Sequence, residues 1–328
     1  MLGSILTSLL ISAPSSFAAA LTPGLELAYT DDQISQHKDF SSRLPVATKV
    51  PPCCTYPDVV WNSYSSDANS TSDAASTFVS VDGNGSSKLV GVNLTTNTVD
   101  KLYYLDGIIT SNSGIDDVRF GPTGKLAYLS DTAGALIILN LTSEAGIRVL
   151  ADDPSAVAHF PMAFKHTLLE GYGYGSGYLS VGLDQIEVSP DGVYFYYQPC
   201  NGGIYRIETR YLNASLTNNT LAAFLGDLTG AFAETPSTGG TTIDADGNIY
   251  VSDTNLIAIW KITKDGYASI LVQDDALVWT DLMWVTADNT LWLPASQMRP
   301  GGNGLLADGP NNIFTFPIDA GPSPIDHA

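Results

Sequence analysis

Three aspartates, Asp116, Asp184 and Asp281, share one offset. Each lies eight residues before the Gly or Asn that ends a tight polar turn, at Gly124, Gly192 and Asn289. A fourth copy of the pattern ends at Gly247, and there the equivalent position is Gly239. Carboxylates that recur at one register of a repeat point to one shared place in the fold. Their chemistry there is cation binding, proton sharing or catalysis on a bound molecule. At a spacing of about 6 Å and an effective dielectric of about 20, each pair repels by about 3 kcal/mol. A bound cation, a shared proton or backbone amides must offset that repulsion. The plainer alternative is that each Asp caps its own turn by accepting from backbone N–H groups.

The repeat itself is a strand, a turn and two more strands. "DVRF", "QIEV", "TTID" and "LMWV" run into "GPTG", "SPDG", "ADG" and "TADN". "KLAYLS", "VYFYYQ", "NIYVS" and "TLWLPA" follow, and then "GALIILNL", "GGIYRIET", "IAIWKIT" and "NIFTFPI". The turn residues are 68, 55 and 42 residues apart, so the spacers vary while the unit does not. A weaker unit, "STFVSVDGNGSSKLVGVNL", precedes them. No stretch sustains a helical period, and Gly and Pro punctuate throughout. Small antiparallel sheets repeated in this way make a β-propeller. The expected fold is all-β, a six-bladed propeller, with "LELAYT" and "NIFTFPI" as the N- and C-terminal strands that close the ring. Residues 21–328 form one domain in this reading, with the clearest repeats over 75–320.

These residues also resemble a known family. "DDVRFGPTGKLAYLSDT", "GLDQIEVSPDGVYFYYQPCNGGIYRIET", "DADGNIYVSDTNLIAIWKI" and "LVWTDLMWV" are similar to the major royal jelly protein/Yellow family, including its fungal secreted members. More distantly they resemble the gluconolactonase/senescence-marker propellers. The first resemblance implies a six-bladed ring whose tunnel binds small amines or sterols, with some insect members tautomerising an aminochrome. The second implies that Asp184 and Asp281, with Asp116 beside them, ligate a divalent metal such as Ca²⁺ that serves a lactonase. It departs at Gly239, which offers no ligand, and in the absence of an N-terminal Glu in an "EGP" setting.

Aromatic residues form a second constellation. Tyr172, Tyr174 and Tyr178 stand in "GYGYGSGY" just before the Asp184 strand, and Trp279 and Trp284 flank Asp281. They are expected either to stack on a flat ligand over the tunnel mouth or to pack on a neighbouring sheet. An acidic, aromatic mouth suits an amine. "GYGYGSGY" is not a G-x-G-x-x-G dinucleotide motif, and no G-x-S-x-G, H-E-x-x-H or P-loop occurs. His159 and His166, with Glu170 four residues further on, lie between two units and are read as packing or surface residues.

Composition narrows the partners. With 328 residues, 44% hydrophobic and 15% charged, the chain can bury a large core. Its net charge of −20 repels nucleic acid and anionic lipid. The uncharged opening "MLGSILTSLLISAPSSFAAA" reads as a signal peptide over 1–20, so the protein is expected to be secreted, with no membrane span. Six sequons, at Asn69, Asn84, Asn93, Asn140, Asn213 and Asn218, fit that route. In an oxidising compartment either Cys53 or Cys54 is free to pair with Cys200. Three functions remain open: a binder of a small aromatic, amine or lipophilic molecule; an isomerase or cyclase of a secondary metabolite; and a metal-dependent lactonase. Oligomeric state is not legible.

Overall fold

The computed structural model describes residues 21–30, 59–65, 87–93, 98–170, 177–281, 283–301, 304–307, 309 and 311–325. The chain is nearly all β. Its strands are β1 (Glu26–Tyr29), β2 (Val59–Ser65), β3 (Ser87–Asn93), β4 (Thr98–Tyr104), β5 (Ile115–Phe120), β6 (Leu126–Asp131), β7 (Ala135–Asn140) and β8 (Gly146–Val149). A small ribbon, β9 (Ala163–Phe164) and β10 (Thr167–Leu168), precedes β11 (Leu183–Val188), β12 (Tyr194–Pro199), β13 (Ile204–Glu208) and β14 (Gly230–Ala233). Then come β15 (Thr241–Ile243), β16 (Ile249–Asp253), β17 (Ala258–Ile262), β18 (Ala268–Gln273), β19 (Trp284–Thr286) and β20 (Thr290–Ala295). A second ribbon, β21 (Met298–Gly301) and β22 (Gly304–Ala307), leads to β23 (Asn312–Pro317).

These strands build a β-propeller with four four-stranded blades. Three follow chain order, β5-β6-β7-β8, β11-β12-β13-β14 and β15-β16-β17-β18, and the fourth is β19-β20-β23-β1. A three-stranded sheet, β2-β3-β4, precedes them. The inner strands pack in succession, with β5 between β2 and β11, and β15 between β11 and β19. β1 does not begin a blade of its own. It runs antiparallel to β23, with Glu26 opposite Thr315 and Leu27 opposite Phe314.

The local rules behind the sheets are simple. Each inner hairpin turns at a residue of positive φ, 64° at Gly124, 72° at Gly192, 82° at Gly247 and 59° at Asn289, which Gly and Asn tolerate best. The strands on either side of those turns are deeply buried. Every residue of β6, β11 and β16 is buried, so each sheet is covered on both sides. Between blades, Tyr128 meets Phe195 at a centroid distance of 4.9 Å; within one blade, Tyr196 meets Phe232 at the same distance.

Helices are the one departure from the expected element types. Thr209–Ser215 and Asn219–Ala223 fill the connection between β13 and β14. At seven and five residues they are too short to display a period in sequence. The second is capped by Asn218, whose Oδ1 accepts from Leu221 N at 3.1 Å. No described helix is long and apolar enough to cross a membrane.

The "SDT" that ends two second strands has a structural task. Asp131 is fully buried, and its Oδ1 accepts from the N–H groups of Gly114 and Ala133. Its Oδ2 accepts from Ser113 Oγ at 2.6 Å and Arg148 Nε at 2.8 Å. Asp253 does the same for Asn255 N, Leu256 N and Trp260 Nε1. Breaking such a network strands several buried donors and a cation. Asp131→Ala is therefore expected to cost about 3–5 kcal/mol. Asp319→Ala, whose side chain is 97% exposed, should stay within about 0.5 kcal/mol. Urea unfolding of the two variants beside the parent tests the contrast.

Candidate functional site

Asp116, Asp184 and Asp281 line one pocket together with Gly239, the four positions that share the repeat offset. Asp117, Gln185, Gly240 and Thr241 complete its wall. The enclosed space is small, about 10 Å³, and it opens to solvent where the inner strands begin.

Two β-bulges aim the carboxylates. In the β5–β6 pairing the register runs from Ile115↔Asp131 directly to Val118↔Leu129, so Asp116 and Asp117 together oppose one residue. In β11–β12 it steps from Leu183↔Pro199 to Gln185↔Gln198, leaving Asp184 as the extra residue. Bulges of this kind twist a strand locally and redirect side chains. Serines on the second strands prop the bulged or opening backbone. Ser130 Oγ accepts from Asp117 N at 2.7 Å, and Ser252 Oγ accepts from the N–H groups of Gly239 and Gly240 at 3.0 Å each. Asp281 is held by its backbone, its N–H donating to Pro294 O at 3.0 Å.

Gly239 breaks the carboxylate pattern for a steric reason. A Cβ there would stand 2.9 Å from Trp279 Nε1 and 3.1 Å from Trp279 Cδ1. The indole occupies the space that a side chain would need.

Asp184 carries the strongest electrostatic tension. It is 7% exposed, and its Oδ2 accepts from the Cys200 thiol at 2.8 Å and from Gln185 Nε2 at 2.5 Å. Its Oδ1 is buried and meets no donor among the described residues. Burial first, and then the Asp116 carboxylate beside it, push its pKa well above the ordinary carboxylate value. Asp117 is pushed up to about 7, chiefly by burial, with Asp116 and Glu187 adding to the effect and Arg119 opposing it. Arg119 is engaged elsewhere: Nε and Nη2 grip Glu187 at 3.1 and 3.0 Å, while Asp117 Oδ2 lies 4.0 Å away. Thr241 Oγ1 donates to the same Glu187 at 2.8 Å.

Other expected residues fall differently. Among the described residues Cys200 is a free buried thiol turned onto Asp184. Burial and the Asp184 charge raise its pKa, which keeps it protonated and unreactive. Cys53 and Cys54 lie outside the described residues, as do Tyr172, Tyr174, Asn69 and Asn84. The aromatic residues that are described do not line the pocket. Trp279 is buried against Gly239, Tyr178 is 56% exposed and Trp284 sits in β19 opposite Trp292. His159 Nε2 donates to the Pro154 carbonyl at 2.8 Å and lies 3.4 Å from the Tyr205 hydroxyl, and His166 N–H donates to Asn255 Oδ1; neither His lines the pocket.

The donor set does not fit the divalent metal that the lactonase-type resemblance implies. No three Asp, Glu, His or Cys side chains among the described residues converge as a metal site, and one oxygen of Asp184 is already taken by a thiol and an amide. Asp117, Gln185, Cys200 and the propping serines were missed in sequence. Only the doubled acid in "GIDDV" and the recurring "SDT" carried a signal for them.

No family model matches the chain, the royal-jelly/Yellow family included, and no curated protein matches it. Solved structures do. A selenomethionine-substituted virginiamycin B lyase from Staphylococcus aureus aligns over 82% of this chain and 77% of its own, at 13% identity and a TM-score of 0.43. A nidogen/laminin complex aligns over 64% and 67%, at 15% identity and a TM-score of 0.44. A protein of unknown function from Bacteroides caccae aligns over 69% and 70%, at 11% identity and a TM-score of 0.40. The likeness is one of fold.

The raised pKa of Asp117 has a thermodynamic consequence. The folded chain retains a proton up to about pH 7 that the unfolded chain releases near 3.8. The stability contributed by protonated Asp117 is fully present below about pH 4 and is lost as pH rises through about 7. Asp117→Asn, neutral at every pH, should melt above the parent at pH 8 and converge with it near pH 4. Melting curves between these limits check this. Parallel pH profiles would refute it.

Proposed function

We propose that this chain is a small-molecule-binding β-propeller whose axial carboxylates receive the ammonium group of an amine. One observation carries the reading: the pocket presents acceptors and almost no available donors. Asp116, Asp117, Asp184 and Asp281 line it. The donors around it point into the protein, with Gly239 and Gly240 N–H on Ser252, Gln185 Nε2 on Asp184 and Thr241 Oγ1 on Glu187. A site of that kind favours a cation that brings its own N–H groups. The enclosed space is about 10 Å³, about one water molecule, so it admits only the small cationic head of a ligand. The body of the ligand would then lie outside, toward the rim.

A second reading, isomerisation or cyclisation of a metabolite, is favoured by the same two carboxyls. Asp117, pushed up to about 7, is suited to hold and return a proton at neutral pH, and the Asp184 carboxyl beside it is also raised above its ordinary range. In either reading the chain is an exported glycoprotein of the royal-jelly/Yellow kind on a six-bladed ring. The meeting of β1 with β23 supports closure, and four blades with the β2-β3-β4 sheet support five of the six units. Asn140 and Asn218, at turn positions that accept only backbone N–H groups, support glycosylation better than Asn213, whose Oδ1 accepts from Tyr128 at 2.6 Å.

Phenethylamine and its neutral counterpart 2-phenylethanol separate the possibilities by calorimetry. The amine should bind saturably and more weakly as salt rises, and the alcohol should not. Asp184→Asn should weaken the amine by about tenfold or more, the range of a lost charged hydrogen bond. Equal binding of the alcohol, or stabilisation by Ca²⁺ with no response to the amine, would remove the proposal. A product of unchanged mass would establish the isomerase.

A further inference from the structure

The segment after β23 leaves its sheet and crosses the inner hairpin turns of neighbouring blades. At the β19–β20 turn, Ile318 N–H donates to Asn289 O at 2.9 Å, and Asn289 Nδ2 donates to Asp319 O at 3.2 Å. At the β15–β16 turn, Ala245 N–H donates to Gly321 O at 2.9 Å, and Asp244 pairs with Pro322 in an isolated antiparallel bridge. At the β11–β12 turn, Ile325 packs beside Gly192. A Cβ on Gly192 would stand 3.2 Å from Ile325 Cδ1 and 2.5 Å from Pro122 Cγ in the β5–β6 turn. Along this path Ser323 is fully buried and Ala320 is 7% exposed. Ile325 also joins the core formed by Leu126, Ile186 and Phe195.

We infer that residues 318–325 are a strap that locks the angular spacing of successive blades at the end of the ring opposite the acidic pocket. Each inner strand runs from the pocket to one of these turns. A clamp on the turns therefore limits how far neighbouring blades can splay, and it does so through backbone hydrogen bonds as well as apolar packing. Adjacent turns already approach one another. Pro122 lies against Gly192, and a Cβ on Gly247 would stand 3.8 Å from Pro190 Cδ. The strap bridges what those contacts leave. This inference does not depend on what the pocket binds.

Hydrogen exchange at Ala245 and thermal melting test it, on the parent chain, on Ile325→Asp and on a chain ended after Pro317. Both variants should exchange Ala245 about tenfold faster or more and melt about 3 °C lower or more. A synthetic peptide of residues 318–325, IDAGPSPI, should restore protection to the shortened chain. Should the shortened chain fail to fold alone, refolding with the peptide replaces the melt, and rescue supports the strap. Parent-like exchange at Ala245 in Ile325→Asp, or a shortened chain that melts with the parent, overturns it.

Discussion

A sheet whose strands are buried along their whole length has to be covered on both faces, and that requirement organises this molecule. β6, β11 and β16 have no exposed residue. Hydrophobic burial is roughly proportional to the area removed from water, so a sheet left open on one side would forfeit half of that gain. Packing blade against blade in succession meets that demand. Tyr128 against Phe195 is one visible seam, with the Tyr128 hydroxyl finding Asn213 at its outer end.

The axial pocket follows from that arrangement. When blades pack radially, equivalent positions on their inner strands face one another across the axis. A residue type harmless in one hairpin then meets its own copies. Here those residues are acidic, and the fold meets the resulting repulsion in several ways. Bulges in β5 and β11 set where each carboxylate points. A thiol and an amide satisfy one oxygen of Asp184. Arg119 neutralises Glu187 and steadies Asp117. The remaining tension stays in the raised pKa values of Asp117 and Asp184, and a cation in the pocket would relieve it.

The neighbours of these carboxylates show where sequence reading stops. Asp116 and Asp184 were visible because they recur at one offset from a turn. Asp117 recurs nowhere, and it enters the pocket only because a bulge gives two residues the space of one. The contact of Cys200 with Asp184 was not legible, since cysteine spacing carries no information about which side chain a buried thiol will face. Asp184 is sixteen residues away and across a hairpin. The place of Trp279 is decided in a related way: it is near Gly239 in space and fills the volume beside the pocket.

By itself, the sequence determined the repeat, the hairpin turns, the all-β propeller class and the offset that selects Asp116, Asp184, Gly239 and Asp281. These depend on local rules, namely the side-chain period of a strand and the φ angle that a turn residue tolerates. Only the tertiary structure decided that Asp117 joins the pocket and that Cys200 bonds Asp184. It also decided that the segment beyond β23 clasps three turns. Each of those outcomes depends on the relative placement of blades. Placement is set by the packing of many weakly specific apolar surfaces, and no single residue pattern encodes it.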